Sequence, residues 1–404
     1  MTALPAIAAF KSELVKVRRQ LHAHPELRFE EEKTAAFVAS YLKDCGIEVA
    51  GGIGGHGVVG TCRRGNSGRA IALRADMDAL PLQELNDFAH ASRHAGKMHA
   101  CGHDGHTTML LGAAKYLAAY GDFDGTVHFI FQPAEEGGAG AKKMLDDGLF
   151  ERFPCDAIFG LHNWPGLPAG TFGVRPDGIM ASSNTFELEI HGSGSHAAQP
   201  HRSIDSVMVA VQIAQAWQSI VSRNVDPNAA AVLSVTQIQT GTAVNVIPET
   251  ALMRGTVRAF DTAVLDLIEQ RMRSIADGIA SAFGAEARFD FHRMYPAVVN
   301  HPEEARVAAA VMRAVAGANS VDENVPRSMA SEDFSFFLQR KPGCYAFLGN
   351  GRLRTTPAGS DRQSYQLHSP LYDFNDEILL TGVTYWVELV RAWLGAHRNP
   401  GLGS

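Results

Sequence analysis

The chain contains 404 residues, of which 46% are apolar and 20% are charged, and its formal net charge at pH 7 is −7 with histidine neutral. This length exceeds the usual span of one hydrophobic core, so about two domains are expected. The composition is that of a soluble globular enzyme. The mildly acidic balance argues against a nucleic-acid-binding surface or a surface for anionic membranes.

The five cysteines are few, odd in number and widely spaced, so they do not indicate a disulfide framework. A reducing cytoplasm fits this cysteine usage best. The first ten residues are apolar but lack a basic start followed by a sustained hydrophobic run, and they do not indicate a signal peptide. No stretch of the sequence predicts a membrane span.

The first part of the chain alternates helical and strand patterns, which is typical of an α/β domain. Helices are predicted at 7–21, 30–45, 104–120 and 141–147, and strands at 47–49, 58–62, 70–73, 125–132 and 156–163. Asp104 is expected near the N-cap of its helix, where a carboxylate satisfies free backbone N–H groups. The glycines between residues 51 and 55 lack a following Lys-Ser or Lys-Thr, so they indicate a hairpin or loop and not a phosphate-binding loop.

From about residue 183 the order becomes strand, helix, two strands, helix, strand, which predicts an α+β sandwich with one antiparallel sheet. Its strands are predicted at 185–190, 231–239, 251–259 and 287–292, and its helices at 205–221 and 262–283. After Pro296 the first pattern resumes, with helices at 302–316 and 331–338, a strand at 344–348 and a final helix reaching Ala396. Ser331 is expected to cap its helix, with Glu332 and Asp333 in the first turn. The predicted domains are therefore a first catalytic part at 1–183, an insert at 184–296 and a second catalytic part at 297–404.

A thiol and three imidazoles lie within the nine residues 98–106, namely His99, Cys101, His103 and His106. Cys101 and His103 are two residues apart, so an extended or turning segment can aim both side chains at one point. A soft thiolate together with imidazole suits zinc or a neighbouring divalent transition metal. The alternative is a histidine-rich loop around a buried, inert cysteine, and the clustering favours the metal site.

Polar residues also follow three predicted strands, where open α/β sheets place their sites. They are Asp76 with Asp78, Glu135 with Glu136, and His162. Adjacent acids at the end of a buried strand are costly unless a cation compensates them. One of the two can bind a metal while the other works as a base. Solvated turn acids and a satisfied core histidine are the alternatives, and the apolar strand before Glu135 weakens the first of them.

Eight motifs in a fixed order resemble those of a known family. They lie at 98–104, 132–136, 160–163, 194–198, 245–248, 258–260, 331–334 and 367–368. The set resembles the dinuclear metal amidohydrolases that include hippurate hydrolases, N-acyl-amino-acid deacylases and plant auxin-conjugate hydrolases, and it extends from about Arg18 to the final helix. The resemblance implies a metallopeptidase-type α/β catalytic domain with a mixed central sheet flanked by helices. It also implies an inserted α+β, ferredoxin-like domain that serves dimerisation and closes over the metals.

The resemblance further implies a set of site residues around two divalent metal ions per subunit, which are Zn, Mn, Co or Ni. The implied ligands are Cys101, His103, Glu136, His162 and His368. Glu135 is the implied general base. Related carboxypeptidases and desuccinylases begin their metal set with His-x-Asp after an early strand, whereas Asp76-Met77-Asp78 stands here, so the chain falls in the cysteine-bearing branch. Asp76 is therefore doubtful as a ligand, and Asp78 is expected to orient a ligand from outside the metal shell.

For the insert, the resemblance implies a homodimer or a dimer of dimers. His196 and Asn245 would reach the substrate, with His196 acting in the partner subunit's site. Arg258 would receive a substrate carboxylate. The expected partner is a small-molecule substrate, and neither nucleic acid nor membrane.

The implied reaction is hydrolysis of the amide bond of an N-acyl amino acid, such as hippurate or an N-acetyl conjugate, to a carboxylic acid and a free amino acid. A dipeptidase or carboxypeptidase using the same dinuclear site is the alternative. A metal-dependent binding protein with an idle site would not need Glu135 beside a full ligand set. A thiol redox enzyme would need a Cys-x-x-Cys partner for Cys101.

Overall fold

The structure is a computed structural model that describes residues 5–353 and 365–395. The chain divides into two compact units. The first comprises Met1–Ile179, Val299–Pro326 and Asp333–Ser404, and the second comprises Met180–Val298 and Arg327–Glu332. The predicted insert at 184–296 lies inside the second unit, which also takes in a short segment from further along the chain.

The bounds of the strands and helices set out the order of the fold. The strands are β1 (Glu48–Ile53), β2 (Gly57–Arg64), β3 (Ala70–Asp76), β4 (Gly125–Gln132), β5 (Ala157–Pro165), β6 (Phe172–Gly173), β7 (Gly178–Met180), β8 (Ser183–His191), β9 (Ser195–His196), β10 (Ala231–Thr240), β11 (Val246–Ile247), β12 (Thr250–Ala259), β13 (Glu286–Tyr295), β14 (Val298–Val299), β15 (Val321–Asp322) and β16 (Gly343–Gly351). The helices are α1 (Pro5–Ala8), α2 (Lys11–Ala23), α3 (Glu32–Asp44), α4 (His103–Tyr120), α5 (Glu135–Gly138), α6 (Gly140–Asp146), α7 (Leu149–Arg152), α8 (Ser206–Arg223), α9 (Thr262–Phe283), α10 (Pro302–Ala316), α11 (Ser335–Leu338) and α12 (Leu379–Leu394). Among the residues described, no helix has the length and apolar character needed to cross a membrane.

The first unit is built on an eight-stranded sheet with the order β1-β2-β4-β3-β5-β16-β6-β15. Its four central strands, β4, β3, β5 and β16, are parallel, while β1 and β2 are antiparallel additions at one edge. β3 and β16 are buried along their whole length, as expected for parallel strands covered on both faces. Helix α4 is almost entirely buried and packs against α2 and α12. The predicted mixed sheet flanked by helices is confirmed.

The second unit has an antiparallel four-stranded sheet in the order β10-β12-β8-β13. Along β8 buried and more exposed residues alternate, so one face of the sheet is covered and the other is not. Helices α8 and α9 pack together over a core that contains the fully buried Trp217. Asp205 caps α8 by accepting the N–H groups of Val207 and Met208. This order of two helices and four strands confirms the predicted α+β, ferredoxin-like fold.

Three helix predictions differ from the structure. The predicted first helix is divided, because α1 ends at Ala8 and α2 begins at Lys11. The helix expected from Ser331 begins only at Ser335, and the Ser331 hydroxyl accepts a hydrogen bond from Arg258 instead of capping a helix. The final helix ends at Leu394, and the predicted end at Ala396 lies outside the described residues.

Candidate metal centre

The carboxyl ends of the parallel strands β3, β4 and β5 meet at one edge of the central sheet. Asp76 at the end of β3 is in register with Gln132 at the end of β4. The register of β3 with β5 runs to the pair Arg74 and Gly160, which places His162 just beyond it at the same edge. Because the chain leaves all three strands at this edge, the segments that follow them converge there.

Helix α4 begins at this edge, and Gly102 stands between Cys101 and its first residue, His103. Gly102 has φ +94°, a conformation that L-residues with side chains rarely adopt. A Cβ atom at this position would also lie 2.1 Å from Asn163 Oδ1. Glycine is therefore required here for both conformation and space, and it holds the thiol and the imidazole on either side of one tight turn.

Asp104 lies near the N-cap of α4, as predicted, because the helix begins at His103 and its N-cap is Gly102. The Asp104 carboxylate lies in the first turn, where it accepts a hydrogen bond from His22 Nδ1 at 2.8 Å and pairs with Arg18 at 3.6 Å. Tertiary partners, and not the free N–H groups of the helix, thus engage this carboxylate. The acid still lies near the helix amino terminus, where a negative charge is favourable.

Two groups of potential metal ligands share the Cys101 thiol. Within each group the potential ligand atoms all lie within 4.8 Å of one another, and the groups are Cys101 with His103 and His162, and Cys101 with Glu136 and His368. Cys101 Sγ is 3.4 Å from His162 Nε2, and His368 Nε2 is 3.2 Å from Glu136 Oε1. The backbone N–H of His368 donates to the carbonyl of Ala100, which ties this distant segment to the turn at Cys101.

Hydrogen bonds show which ring nitrogen donates a proton in two of these histidines. His103 Nδ1 donates to the carbonyl oxygen of Asp78 at 2.8 Å, and His162 Nδ1 donates to that of Asn163 at 2.6 Å. Since a carbonyl only accepts, each Nδ1 carries a proton, and Nε2 is the nitrogen left to face a metal ion, as in metal-bound histidines. Among the described residues, His103 Nε2 is buried without a hydrogen-bond partner. A buried ring nitrogen left without a partner in this cluster fits a bound cation.

The electrostatics of the cluster also favour a cation. Burial and the charges of Glu136 and Glu135 raise the pKa of the Cys101 thiol well above its usual value. Burial alone would lower the pKa of His103, but the charges of Asp76 and Asp78 raise it to about 10. Carboxylates and a thiol are therefore crowded in a buried space with too little positive charge. A divalent ion would favour the thiolate and compensate the carboxylates together.

The site is also completed by Asp78, which follows β3. Asp78 Oδ1 accepts the backbone N–H of Glu135 at 3.0 Å, and Oδ2 accepts that of Glu136 at 2.9 Å. The same carboxylate lies 3.3 Å from His103 Nδ1. One buried side chain thus contacts the backbone of both adjacent acids and one imidazole of the cluster.

The comparison with known families identifies the chain. A family model described as peptidase family M20/M25/M40 matches residues 72–392. The chain belongs to this family. This M20 chain is a metal-dependent amidohydrolase, and the predicted family resemblance is confirmed.

Relatives of the M20 chain include hydrolases of different named specificities. It is 42% identical over 394 residues to the hippurate hydrolase of Campylobacter jejuni, with 98% of this chain and 100% of the relative covered. It is 40% identical over 374 residues to thermostable carboxypeptidase 2 of Saccharolobus solfataricus, with 91% and 92% covered. The solved structure of the YXEP protein of Bacillus subtilis, described as a dinuclear metal binding peptidase from the M20 family, aligns with a TM-score of 0.81 and 35% identity and covers 95% of this chain and 98% of that one.

Asp76 is close to the cluster of the M20 chain but is already engaged by other partners. Its Oδ1 atom is 2.6 Å from His106 Nδ1, and its Oδ2 atom accepts from Arg74 Nη1 at 2.7 Å. Burial would raise the pKa of Asp76, but the neighbouring charges of His103, Arg74 and His106 hold it well below its usual value. Asp76, His103 and His106 form a further group within 4.8 Å, yet the two carboxylate oxygens of Asp76 already have partners.

Several supporting residues of the M20 site were given no role in it from the sequence. Asn163 Nδ2 donates to the Tyr372 hydroxyl at 2.5 Å, and Asn163 Oδ1 lies 2.6 Å from His106 Nε2. The buried Asp333 accepts from Arg74 and Gln132 at 3.2 and 2.8 Å. Asn163 and Asp333 lie in the motifs at 160–163 and 331–334, which were the sequence signals of this network.

The remaining predicted site residues lie in the second unit. His196 on β9 pairs with Val246 on β11, and the N–H of Ala197 donates to the carbonyl of Asn245 at 2.9 Å, so His196 and Asn245 are neighbours on one exposed ribbon. The N–H of Ala198 donates to His196 Nδ1 at 3.0 Å, which leaves Nε2 as the protonated nitrogen. Arg258 on β12 donates to the Ser331 hydroxyl at 2.9 Å.

Proposed function

We propose that this enzyme hydrolyses the amide bond of N-acyl amino acids, such as hippurate or N-acetyl conjugates, and releases a carboxylic acid and a free amino acid. The observation that carries the proposal is a pair of adjacent carboxylates, Glu135 and Glu136, beside two ligand groups that share the Cys101 thiol. The hippurate hydrolase relative supports the acylated amino acid as the substrate class. The free thiols of all five cysteines support a cytoplasmic location.

The proposed metal ligands are the five residues of the two groups, which are Cys101, His103, Glu136, His162 and His368. A set of one thiol, three imidazoles and a carboxylate suits zinc and also accepts manganese, cobalt or nickel. Bound ions of this kind supply a water of lowered pKa and polarise a carbonyl oxygen. The dinuclear metal site of the YXEP protein supports two ions in this chain.

Glu135 is the proposed general base. It is buried, with 6% of its surface exposed, and its Oε1 atom lies 3.3 Å from the backbone N–H of Asp333, while Glu136 lies beside His368. In the reaction Glu135 takes a proton from the attacking water as the water oxygen bonds to the amide carbon. It then delivers that proton to the amine nitrogen as the carbon–nitrogen bond breaks. The two neighbouring acids thereby have separate tasks.

The second unit supplies the proposed substrate contacts, in a homodimer or a dimer of dimers. His196 Nε2 carries a proton, because Nδ1 accepts from Ala198, so it can donate to the oxyanion that develops on the amide oxygen of the partner subunit's substrate. Asn245, on the same ribbon, is proposed to contact the substrate, and Arg258 to receive its carboxylate. Asp78 is proposed to orient Glu135 and Glu136 through their backbone N–H groups.

The second candidate function is hydrolysis of a peptide bond by a dipeptidase or carboxypeptidase at the same site. The relative named thermostable carboxypeptidase 2 favours it. Both activities need the same base and ligands, so the substrate decides between them. We would measure release of amino acid from N-acetyl, N-benzoyl and indoleacetyl amino acids and from dipeptides, with manganese or zinc and with a chelator. Higher kcat/KM for dipeptides than for every acylated amino acid would select the second candidate.

The decisive test of the mechanism is the Glu135→Gln variant with its metal content measured in parallel. General acid–base catalysis contributes about 10²- to 10⁴-fold, so kcat should fall by at least about 100-fold with the metal stoichiometry unchanged. Glu30→Gln is the matched control, because Glu30 is an exposed carboxylate that pairs with Lys97. Full activity of a metal-loaded Glu135→Gln enzyme would refute the assignment of the base.

A further inference from the structure

The turn that carries Glu135 is held in an unusual backbone conformation. Ala134, which directly precedes it, has φ +53°, and Ala139 has φ +55°. These left-handed conformations are unfavourable for residues with a Cβ atom and persist only where the surroundings fix them. The short helix α5 between them is irregular, with non-helical angles at Glu136 and Gly137.

Two buried carboxylates take up three consecutive backbone N–H groups of this turn. Ala134 donates to Glu31 Oε1 at 2.8 Å, and the next two N–H groups, those of Glu135 and Glu136, donate to the two oxygens of Asp78. On the opposite side of the peptide chain, Arg28 donates to the carbonyl of Glu136 at 2.9 Å. The path of the turn is thus fixed by side chains from distant segments.

Glu31 is the unexpected member of this group. It stands at the N-cap position of α3, yet its side chain makes no capping bond within the described structure. The residue has 0% of its surface exposed, and burying a carboxyl group without a cation is costly. Burial and the nearby charge of Asp78 raise the pKa of Glu31 to about 7. The free-energy cost of burying the Glu31 carboxyl group, together with its hydrogen bond to the residue before Glu135, indicates a specific structural role.

We propose that Glu31 is a positioning residue for the general base. By accepting the N–H of Ala134, it holds the left-handed residue that turns the chain at the end of β4 and separates the directions of the two acids. Glu135 Oε1 then lies near the N–H of Asp333, and Glu136 Oε1 lies near His368. The inference rests on the proposed function, because it assumes that Glu135 is the base.

The first test compares Glu31→Met, Glu31→Gln and Glu26→Met, with kcat, KM, metal content and thermal unfolding measured for each. Loss of the acceptor in Glu31→Met should lower kcat by about 100-fold, as expected for a misplaced catalytic group, while KM and metal content stay near wild type. Glu31→Gln keeps an acceptor oxygen and should retain most of kcat. Glu26 is the matched control, because its carboxylate accepts the N–H groups of Lys33 and Thr34 at the start of α3. Glu26→Met should therefore lower thermal stability and leave kcat unchanged.

The second test adds Ala134→Gly to Glu31→Met. Glycine adopts positive φ without the Cβ penalty, so the double variant should recover at least about tenfold of the lost kcat. A Glu31→Met enzyme with wild-type kcat, or one whose kcat falls only as far as that of Glu26→Met, would overturn the proposal. Loss of metal in parallel with activity would also overturn it, because Glu31 would then act on the ligand Glu136. If Glu135→Gln is fully active, the base assignment itself fails, whereas an inactive Glu135→Gln beside a normal Glu31→Met rejects the positioning role alone.

Discussion

Removing the Asp78 carboxylate should weaken metal binding and stability together. In Asp78→Ala, the backbone N–H groups of Glu135 and Glu136, now 3.0 and 2.9 Å from carboxylate oxygens, lose their acceptors inside the protein. A hydrogen bond to a charged group contributes about 1.5–3 kcal/mol, so the two together contribute about 3–6 kcal/mol to holding this turn. Part of that energy appears as lost metal affinity, because Glu136 is a proposed ligand. Supporting contacts of this kind typically change metal affinity by about 10- to 100-fold.

The assay measures zinc affinity by competition with a chromogenic chelator, and the free energy of unfolding by urea titration of the metal-loaded enzyme. Asp78→Ala should lose about 10- to 100-fold in zinc affinity, which corresponds to about 1.4–2.7 kcal/mol. Asp78→Asn keeps one acceptor oxygen and replaces the other with a donor, so its losses should be intermediate.

Asp156→Ala is the matched control. Asp156 Oδ2 accepts the N–H of Ala70 at 2.8 Å, at the amino end of the same strand β3 that Asp78 follows. Its loss should lower the unfolding free energy by about 1–2 kcal/mol and leave zinc affinity unchanged. If Asp78→Ala bound zinc and unfolded like this control, the coupling of Asp78 to the ligand turn would be refuted.

Three further perturbations test separate features of the structure. Cys101→Ser should reduce the metal content to less than about one ion per chain, because the thiol belongs to both proposed ligand groups. Plasma mass spectrometry would measure this content, and two retained ions would contradict the prediction. Gly102→Ala should destabilise the protein by at least about 2 kcal/mol, because the new Cβ would meet Asn163. Gly46→Ala is the control, because φ is also positive there but nothing lies within 4 Å, and it should cost only about 1 kcal/mol. Equal shifts in the thermal midpoint of the two variants would refute the steric argument. Burial alone would lower the pKa of His22, but hydrogen bonds to two carboxylates raise that pKa from 6.5 to about 9. Protonated His22 therefore contributes about 3 kcal/mol to the free energy of unfolding. This contribution is fully present below pH 6.5 and is lost as the pH rises through about 9. His22→Gln should remove this fall in stability between pH 6.5 and 9, and an unchanged pH dependence would show that another group causes it.

Elements with strong periodicity could be predicted from the sequence with accurate ends. Helices α9 at Thr262–Phe283 and α10 at Pro302–Ala316 begin and end where the apolar spacing predicts. Both have a local start signal, an aspartate cap for α9 and a proline in the first turn of α10. The helix expected from Ser331 failed because tertiary partners engage its cap residue and its acids. Capping patterns are local, and they carry no information about such partners.

In the candidate site, too, residues marked by local sequence patterns could be predicted, and residues defined by contacts between distant segments could not. Cys101, His103, Glu135, Glu136 and His162 stood out because each lies in a short motif or at the end of an apolar strand. Glu31 did not, because its contact with Ala134 joins residues 103 positions apart and no local pattern marks it. Its sequence context is that of an ordinary helix start. Only the folded chain shows that its carboxyl group points elsewhere.

The position of β16 in the central sheet has a consequence for the growing chain on the ribosome. β16 lies between β5 and β6, although those two strands follow each other closely in sequence. Four of the proposed ligands are made by residue 162, and His368 follows 206 positions later, which takes about 10–40 s at translation rates of about 5–20 residues per second. For most of that time the chain already has four of the proposed ligands but still lacks β16, the strand that pairs with β5 in the finished sheet. With the proposed ligand set, complete metal loading would therefore follow the synthesis of β16 and be a late event in biosynthesis.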